Sequence, residues 1–442
     1  MKIVQMSRPL KKISSKKRVF KEPLQAPKGV HDVVFPETVY FSKLEKICEE
    51  LGEFFGYQKI EVPVIENKLL FEHGVGIDTD IVEKETYSFQ TKGGDWLSLR
   101  PEFTSGIIRS YIQNGMDSWP QPVKLWTWGP LFRYENPQAG RYRQFWQADF
   151  EFLGSENPVT DAEVILLATK IVKAFGIKSS FIEINSIGCP ECRGNYRKAL
   201  KAYYRSKTRK LCPDCRSRLK KNVLRLLDCK NEGCLTLKKE APEIMNYLCK
   251  DCSSHFRKVI EYLDGLNIAY VLNPFLVRGL DYYNRTVFEL KPGMPETGQD
   301  TPSLLGGGRF DYLAKLLSGP ETPACGFAIG VERMVEMISN KNFKPEVDVY
   351  LCQIGDTARG KLLGMLEEFR KARLKIGFDL GRDSLKAQLT SADRLKAPFA
   401  LILGQEEVLR EKIIFRDMKT GVQESLNLEN LAEQIKKRLA KL

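Results

Sequence analysis

No apolar run in this 442-residue chain approaches the roughly 20 residues that span a bilayer, and none resembles the apolar centre of a signal peptide. A soluble, cytoplasmic protein without a membrane partner is therefore expected. Acidic residues are absent from residues 1–21, which carry eight Lys/Arg. With no internal charge compensation, this tail (residues 1–24) reads as a disordered solubilising arm or a transit-like segment, polyanion contact being the functional alternative. Turning to what is there, the length implies two or three domains and ample room for a large core. The net charge is +13, and residues 189–264 hold nineteen Lys/Arg against nine Asp/Glu. Such a concentration of positive charge implies polyanion contact, with nucleic acid the leading candidate.

The stretch Lys124–Gly154, KLWTWGPLFRYENPQAGRYRQFWQADFEFLG, reads as strand, loop, strand. Its first part is apolar and β-prone, and RQFWQADFEFLG alternates aromatic with polar residues at period two. Paired strands would project Arg133, Gln147, Asp149 and Glu151 toward one face, with Arg141 and Arg143 at the loop's exit. Guanidinium suits phosphate and carboxylate suits ammonium, since both pairings are charge-assisted. A solvated hairpin with scattered charges is the plainer alternative, but polar residues set between bulky aromatics favour a pocket. Upstream, a helix is expected over residues 37–55, with Leu44, Ile47, Leu51, Phe54 and Phe55 on its apolar face. YQKIEVPVIEN then reads as a strand interrupted by Pro63, hence an edge or an interface. After a hairpin at Gly93–Gly94, LRPEFTSG opens a helix at which Glu102 and Thr104 would cap free N–H groups or, functionally, bind a ligand's amino group.

Eleven cysteines could mean disulfides outside the cell or metal thiolates inside it. Eight of them fall into four clamps: Cys189/Cys192, Cys212/Cys215, Cys229/Cys234 and Cys249/Cys252. Two clamps make a tetrahedral thiolate site, so structural Zn²⁺ is the natural reading, with His255 as a spare ligand. Reduced cysteines left from a lost site are the alternative. Cys48, Cys325 and Cys352 lie in apolar runs and read as small core residues.

In LVRGLDYYNRTVFE, Arg278 emerges from an apolar run and reads as a phosphate ligand rather than a surface charge. Tyr282 and Tyr283 are adjacent, so an extended chain would turn them to opposite faces. LLGGGRFDYLAKLL places three glycines before a helix, where backbone can approach a ligand or merely turn. PACGFAIGVERMVEMI is strand, glycine, helix, with Arg333 in the first turns. A cation there opposes the helix dipole unless an anion or stacked ring compensates. From Pro345 onward, alternating strands and helices argue for an independent α/β domain with a mixed sheet.

These stretches resemble the histidyl-tRNA synthetase family of class II aminoacyl-tRNA synthetases across residues 25–442. The likeness rests on LRPEFT, on the motif 2 hairpin FRYENPQAGRYRQFWQADFEFLG, on LVRGLDYYNRTVFE, on GGGRFDYL and on GFAIGVERM (motif 3). It implies an α+β catalytic domain on an antiparallel sheet (25–188 and 265–342), a Cys-rich basic insertion (189–264) and a C-terminal α/β anticodon-binding domain (343–442). It also implies histidine–tRNA ligase activity: histidine and ATP give histidyl-adenylate and pyrophosphate, and histidine passes to the 3′ end of tRNA(His). Carried over by residue, Glu102, Thr104, Gln147 and Glu151 bind histidine, with Tyr282 and Tyr283 shaping its pocket and Arg133 and Arg278 in the same set. Arg133 contacts the α-phosphate, Arg278 faces it from the other side, and Arg333 stacks on adenine. Mg²⁺ accompanies ATP. Gln138 and Arg141 are candidates to meet the tRNA acceptor stem, with Arg285 as a further one. The Pro63 strand corresponds to motif 1 and implies a homodimer. Phe103 departs from the small residue many relatives carry, which implies a reshaped pocket edge. Metal is inferred from the cysteine spacing alone.

Two other classes are weighed. A non-aminoacylating regulatory subunit of ATP phosphoribosyltransferase would bind histidine, but Arg278 and a complete C-terminal domain argue against it. An RNA-binding sensor on this fold is opposed by the ATP-contacting arginines, and no kinase segment is present.

Overall fold

The computed structural model describes residues 23–77, 79–138, 140–294, 301–338 and 347–440, so the basic tail falls almost wholly outside the described residues. The chain forms two compact units, Met1–Ile338 and Ser339–Leu442. Helix α1 (Glu37–Phe54) buries Phe41, Leu44, Cys48 and Gly52. That stripe follows the i, i+3, i+4 rule but is rotated from the expected face, leaving Phe54 exposed. The Pro63 stretch is not one strand. It gives β1 (Gln58–Lys59) and β2 (Ile65–Asn67), which join different sheets because proline cannot donate to a central ladder. Strand β2 leads into α2 (Lys68–Gly74) and pairs with the hairpin of β3 (Ser88–Gln90) and β4 (Trp96–Leu99).

Helix α3 (Thr104–Gln113) leads to β5 (Val123–Phe132) and β6 (Gln144–Leu153), the expected pair. Next come α4 (Pro158–Phe175), capped by Asn157, and β7 (Ser180–Ser186). The Cys-rich segment holds α5 (Pro190–Arg205), α6 (Pro213–Lys221), α7 (Glu232–Lys239) and α8 (Lys250–Gly265). Strands β8 (Tyr270–Leu272), β9 (Asn284–Pro292), β10 (Leu305–Arg309) and β11 (Ala324–Gly330) follow, with α9 (Leu313–Leu316) before β11 and α10 (Val331–Ile338) after it. Together they build an eight-stranded sheet, β1-β5-β6-β11-β10-β9-β7-β8. Its six inner strands are antiparallel, and only the edges β1 and β8 pair in parallel.

The period-two pattern of β6 assigns its two faces. Ala148, Phe150 and Phe152 enter the core beneath α1, α4, α8 and α10, where Phe150 stacks between Trp126 and Phe327. Gln147, Asp149 and Glu151 therefore face the other side. The three glycines, read as a close backbone approach or a turn, form strand β10, and Gly306 lines the cavity described below. A Cβ at Gly307 would stand 2.7 Å from Phe327 Cβ, so the neighbouring strand admits only glycine there.

The second unit is a five-stranded mixed sheet, β13-β12-β14-β15-β16. Its strands are β12 (Val349–Gln353), β13 (Ile376–Phe378), β14 (Phe399–Leu403), β15 (Lys412–Asp417) and β16 (Gln423–Asn427). Helices α11 (Asp356–Lys371), α12 (Leu385–Arg394), α13 (Gln405–Leu409) and α14 (Leu431–Leu439) connect and close it. Strands β12, β13 and β14 are parallel, with β12 and β14 buried along their whole length, and β15 and β16 add antiparallel pairs.

Candidate active site

A cavity of about 290 Å³ opens on the polar face of β6. It gathers side chains from seven separated places: Ile81, the start of α3, the β5–β6 hairpin, Asp228 of the Cys-rich segment, the 277–289 segment, the entry to β10 and the β11–α10 turn. One end is acidic. Glu102 accepts the Ser105 backbone N–H at 3.0 Å, and the Thr104 hydroxyl donates to Glu151 Oε1 at 2.6 Å. Glu102, Asp149 and Glu151 are all buried, and Asp149 Oδ1 and Glu151 Oε2 have no hydrogen-bond partner among the described residues. Burial, then the Glu102 charge, pushes Asp149 well above the ordinary carboxylate range; burial, then Asp149, does the same to Glu151. Unsatisfied buried acceptors of this kind are a place for a cation with N–H donors.

The other end is cationic. Arg133 donates through Nε to the Pro101 carbonyl at 2.9 Å, its guanidinium 5.1 Å from the Phe145 ring centre. Arg278 is ion-paired with Glu289, and its Nε has no partner among the described residues. Although burial opposes charge, Glu289 and the tyrosines hold Arg278 above its usual range, so it stays cationic. Arg333 donates to the carbonyls of Gly140 (3.1 Å) and Ser303 (2.9 Å), which aim its guanidinium across the cavity. Burial, then Arg141 and Arg133, lowers its pKa; three cations crowd one space and invite an anion.

Two glycines make this arrangement sterically possible. Gly326 lies opposite Glu151 in the β6–β11 register, and a Cβ there would overlap the Glu151 carboxylate, 2.7 Å from its Cδ. At Gly306 a Cβ would sit 2.6 Å from Arg278 Cζ. Tyr282 and Tyr283, with ring centres 4.6 Å apart, close the acidic end together with Phe310 behind them.

Residues 29–334 match the family model described as histidyl-tRNA synthetase, and residues 347–438 match an anticodon binding domain. A histidine–tRNA ligase from Halothermothrix orenii is 42% identical over 419 residues, covering 94% of this chain and 99% of that one. One from Acetivibrio thermocellus is also 42% identical, over 416 residues, covering 93% and 99%. The crystal structure of apo S. aureus histidyl-tRNA synthetase superposes with a TM-score of 0.75 at 33% identity, covering 94% of this chain and all of that one. The chain belongs to the histidyl-tRNA synthetase family.

Of the residues singled out in the synthetase's sequence, Glu102, Thr104, Arg133, Gln147, Glu151, Arg278, Tyr282, Tyr283 and Arg333 all line this cavity. Arg141 does too, whereas Gln138 lines a larger neighbouring cavity of about 970 Å³ that Arg141, Arg133 and Arg333 share. Several expectations need correction. Thr104 does not cap α3; its hydroxyl is committed to Glu151. Tyr282 and Tyr283 do not diverge, because their segment is a turn rather than a strand, and both rings reach the site. Phe103 does not edge the pocket: it is fully buried in the apolar core beneath Arg100, whose guanidinium lies 4.4 Å from the ring centre. Arg285 turns away, its Nη1 3.4 Å from His255 Nδ1. His255 is no spare metal ligand, since its Nε2 is engaged by Asp161 Oδ2 at 2.6 Å. Asp161 also pairs with the fully buried Arg309 at 2.7 Å, so this network ties α4, α8 and β10 together.

Sequence reading missed Glu289 as the partner of Arg278 and Glu332 at the rim, which accepts the Trp146 N–H at 2.8 Å. Burial pushes Glu332 up to about 7. Glu289 lies two residues beyond the buried Val287 on a strand, but nothing local says that Arg278 stands beside it. The eight paired cysteines resolve into two groups, Cys189/Cys192/Cys249/Cys252 and Cys212/Cys215/Cys229/Cys234, each with its Sγ atoms within 4.8 Å of one another.

Proposed function

We propose that this cavity carries both steps of histidine–tRNA ligation, with its acidic end for histidine and its arginine end for ATP. The chain is an aminoacyl-tRNA ligase: it activates histidine with ATP and transfers it to tRNA(His). The observation that carries the residue assignment is the convergence of three arginines, from three distant stretches, on one cavity floored by three buried carboxylates. Glu102, Asp149 and Glu151 offer acceptors to the α-ammonium and the imidazole, while Thr104 holds Glu151 in place and Gln147 lines the same wall. Tyr282 and Tyr283 bound the ring's space.

That leaves histidine's carboxylate facing Arg133 and Arg278. Its attack on the α-phosphorus builds negative charge on the phosphoryl oxygens, and guanidiniums already held by Pro101 O and Glu289 stabilise that charge without reorganising. Arg333, fixed by two carbonyls, presents a planar face for adenine. Glu135 and Glu289 are hard oxygen donors at the phosphate end, of the kind that would hold Mg²⁺, which when bound would supply charge neutralisation for the pyrophosphate leaving group. In the second step the terminal ribose hydroxyl of tRNA loses its proton and attacks the carbonyl carbon of the adenylate, forming the ester and breaking the mixed anhydride to release AMP, with Gln138 and Arg141 set at the adjoining cavity to meet the acceptor end. The second unit is assigned to the anticodon. A homodimer and a cytoplasmic location complete the reading; no helix of the described residues is long and apolar enough to cross a membrane.

Histidine-dependent ATP–pyrophosphate exchange, followed by charging of tRNA(His), tests it. Exchange without histidine specificity, or none at all, would remove the assignment.

A further inference from the structure

The segment 189–252 is small for the work of folding by itself, and its core of tyrosines, leucines and cysteines is correspondingly slight. Within it the two cysteine groups are nested. Cys189/Cys192 and Cys249/Cys252 join the beginnings of α5 and α8, the first and last helices of the segment, where the Cys249 N–H donates to Cys192 Sγ at 3.0 Å. Cys212/Cys215 and Cys229/Cys234 close the middle, where Cys212 N–H donates to Cys234 Sγ at 3.4 Å and Asn231 N–H to Cys229 Sγ at 3.5 Å. All eight are free thiols. Sulfur separations of 3.5 Å (Cys189–Cys192) and 3.8 Å (Cys212–Cys229) are too long for disulfides. They match the roughly 3.8 Å edge of a tetrahedron whose centre lies about 2.3 Å from each sulfur, the Zn–S distance. Backbone N–H groups aimed at sulfur are what such a centre needs to offset its thiolate charge.

The inner group stands beside the second cavity. A 3₁₀ turn (Val223–Asp228) runs directly into Cys229, so the cluster fixes where Asp228 and Lys230 lie, and both line that cavity together with Gln138 and Arg141. From the catalytic side this lobe is held by Asp80, whose Oδ2 takes Arg218 and Arg225 at 2.9 Å each, and by Asp281, which takes Asn222 at 3.0 Å. A cavity of about 970 Å³ with arginines on both walls fits an RNA strand end, whose affinity is carried by phosphate neutralisation.

We propose that the chain binds two Zn²⁺ ions, one in each group of four thiolates, and that the inner ion holds one wall of the passage through which the tRNA 3′ end reaches the adenylate. The outer ion fastens the segment's two ends. The tRNA clause rests on the ligase reading above, whereas the metal count does not. Loss of the inner ion releases the wall, which meets the catalytic cavity only through Asp228 and through Arg225, a donor to the Arg278 carbonyl at 3.5 Å, so charging suffers far more than adenylate formation.

Full-length protein purified anaerobically under thiol reductant is analysed for metal, and a second sample is loaded with Co²⁺ and scanned for tetrahedral thiolate bands. Two zinc ions per chain and a cobalt spectrum saturating at two equivalents are expected. The C215S/C234S variant, altered at thiols lining neither cavity, should hold one zinc. Its histidine-dependent exchange should stay within about threefold of the wild type, with KM for tRNA(His) raised tenfold or more. Exchange thus reports that the catalytic unit is folded. Zero or one metal in the wild type, iron in place of zinc, or one zinc lost with tRNA charging unchanged overturns the proposal. Absence of exchange in the wild type instead refutes the ligase reading and leaves the metal count to be judged separately.

Discussion

Replacing Thr104 by Val removes one hydroxyl while keeping the shape of a buried helix-start residue. In the wild type that hydroxyl supplies the hydrogen bond to Glu151, 2.6 Å from Oε1, while Oε2 has none. A buried hydrogen bond to a charged group contributes about 1.5–3 kcal/mol. At about 1.4 kcal/mol per decade, its loss corresponds to a roughly 10- to 150-fold change in an equilibrium constant. Without the donor Glu151 shifts further toward its neutral form, because burial and Asp149 already push its pKa up, and its grip on a cationic ligand weakens. In pyrophosphate exchange with histidine and ATP varied separately, KM for histidine should rise by that factor and KM for ATP should stay where it was. Thr104→Ser restores the donor and should restore most of the affinity. An unmoved KM for histidine, or an equal rise for ATP, would refute Thr104's role in positioning Glu151.

Arg278→Ala should lower the exchange rate by roughly 100- to 1000-fold, the usual cost of losing one fixed stabiliser of developing charge, while histidine still raises the melting temperature; unchanged exchange would take Arg278 out of the mechanism. Burial raises Asp149 and Glu151, so without ligand their contribution to stability is full below the ordinary carboxylate pKa of about 4 and is lost as pH rises through their folded-state values. The D149N/E151Q variant should therefore melt increasingly above the wild type as pH is raised from 5 to 8, and a gap independent of pH would contradict the shift. Removing Ser339–Leu442 should depress tRNA(His) charging far more than exchange, and equal losses would count against an anticodon role for that unit.

Much of the site was legible because its signals are local. Period two in residues 144–153 sorts Gln147, Asp149 and Glu151 from Phe150 and Phe152, whatever the strand pairs with. The cysteine clamps and the aliphatic alternation after Pro345 are equally short-range. Where local pattern misled or left a choice open, a neighbour from far along the chain settled it. Three consecutive glycines left a turn and a close approach both open, and only the pairing of β9 and β11 with them and Arg278 above Gly306 decided for the close approach. Phe103 looks like a pocket residue by its place beside Glu102, yet Arg100 and the core claim its ring.

By itself the sequence determined the element types, the polar face of the motif 2 hairpin and the chemical kinds of group the site would need. Only the tertiary structure decided who stands beside whom: Glu289 with Arg278, Asp161 with Arg309 and His255, the first cysteine clamp with the fourth and the second with the third. The reason is physical. Periodicity follows from backbone geometry within a few residues, whereas the partner of a buried charge is whatever a strand or helix brings within about 4 Å, and sequence spacing carries no record of that distance.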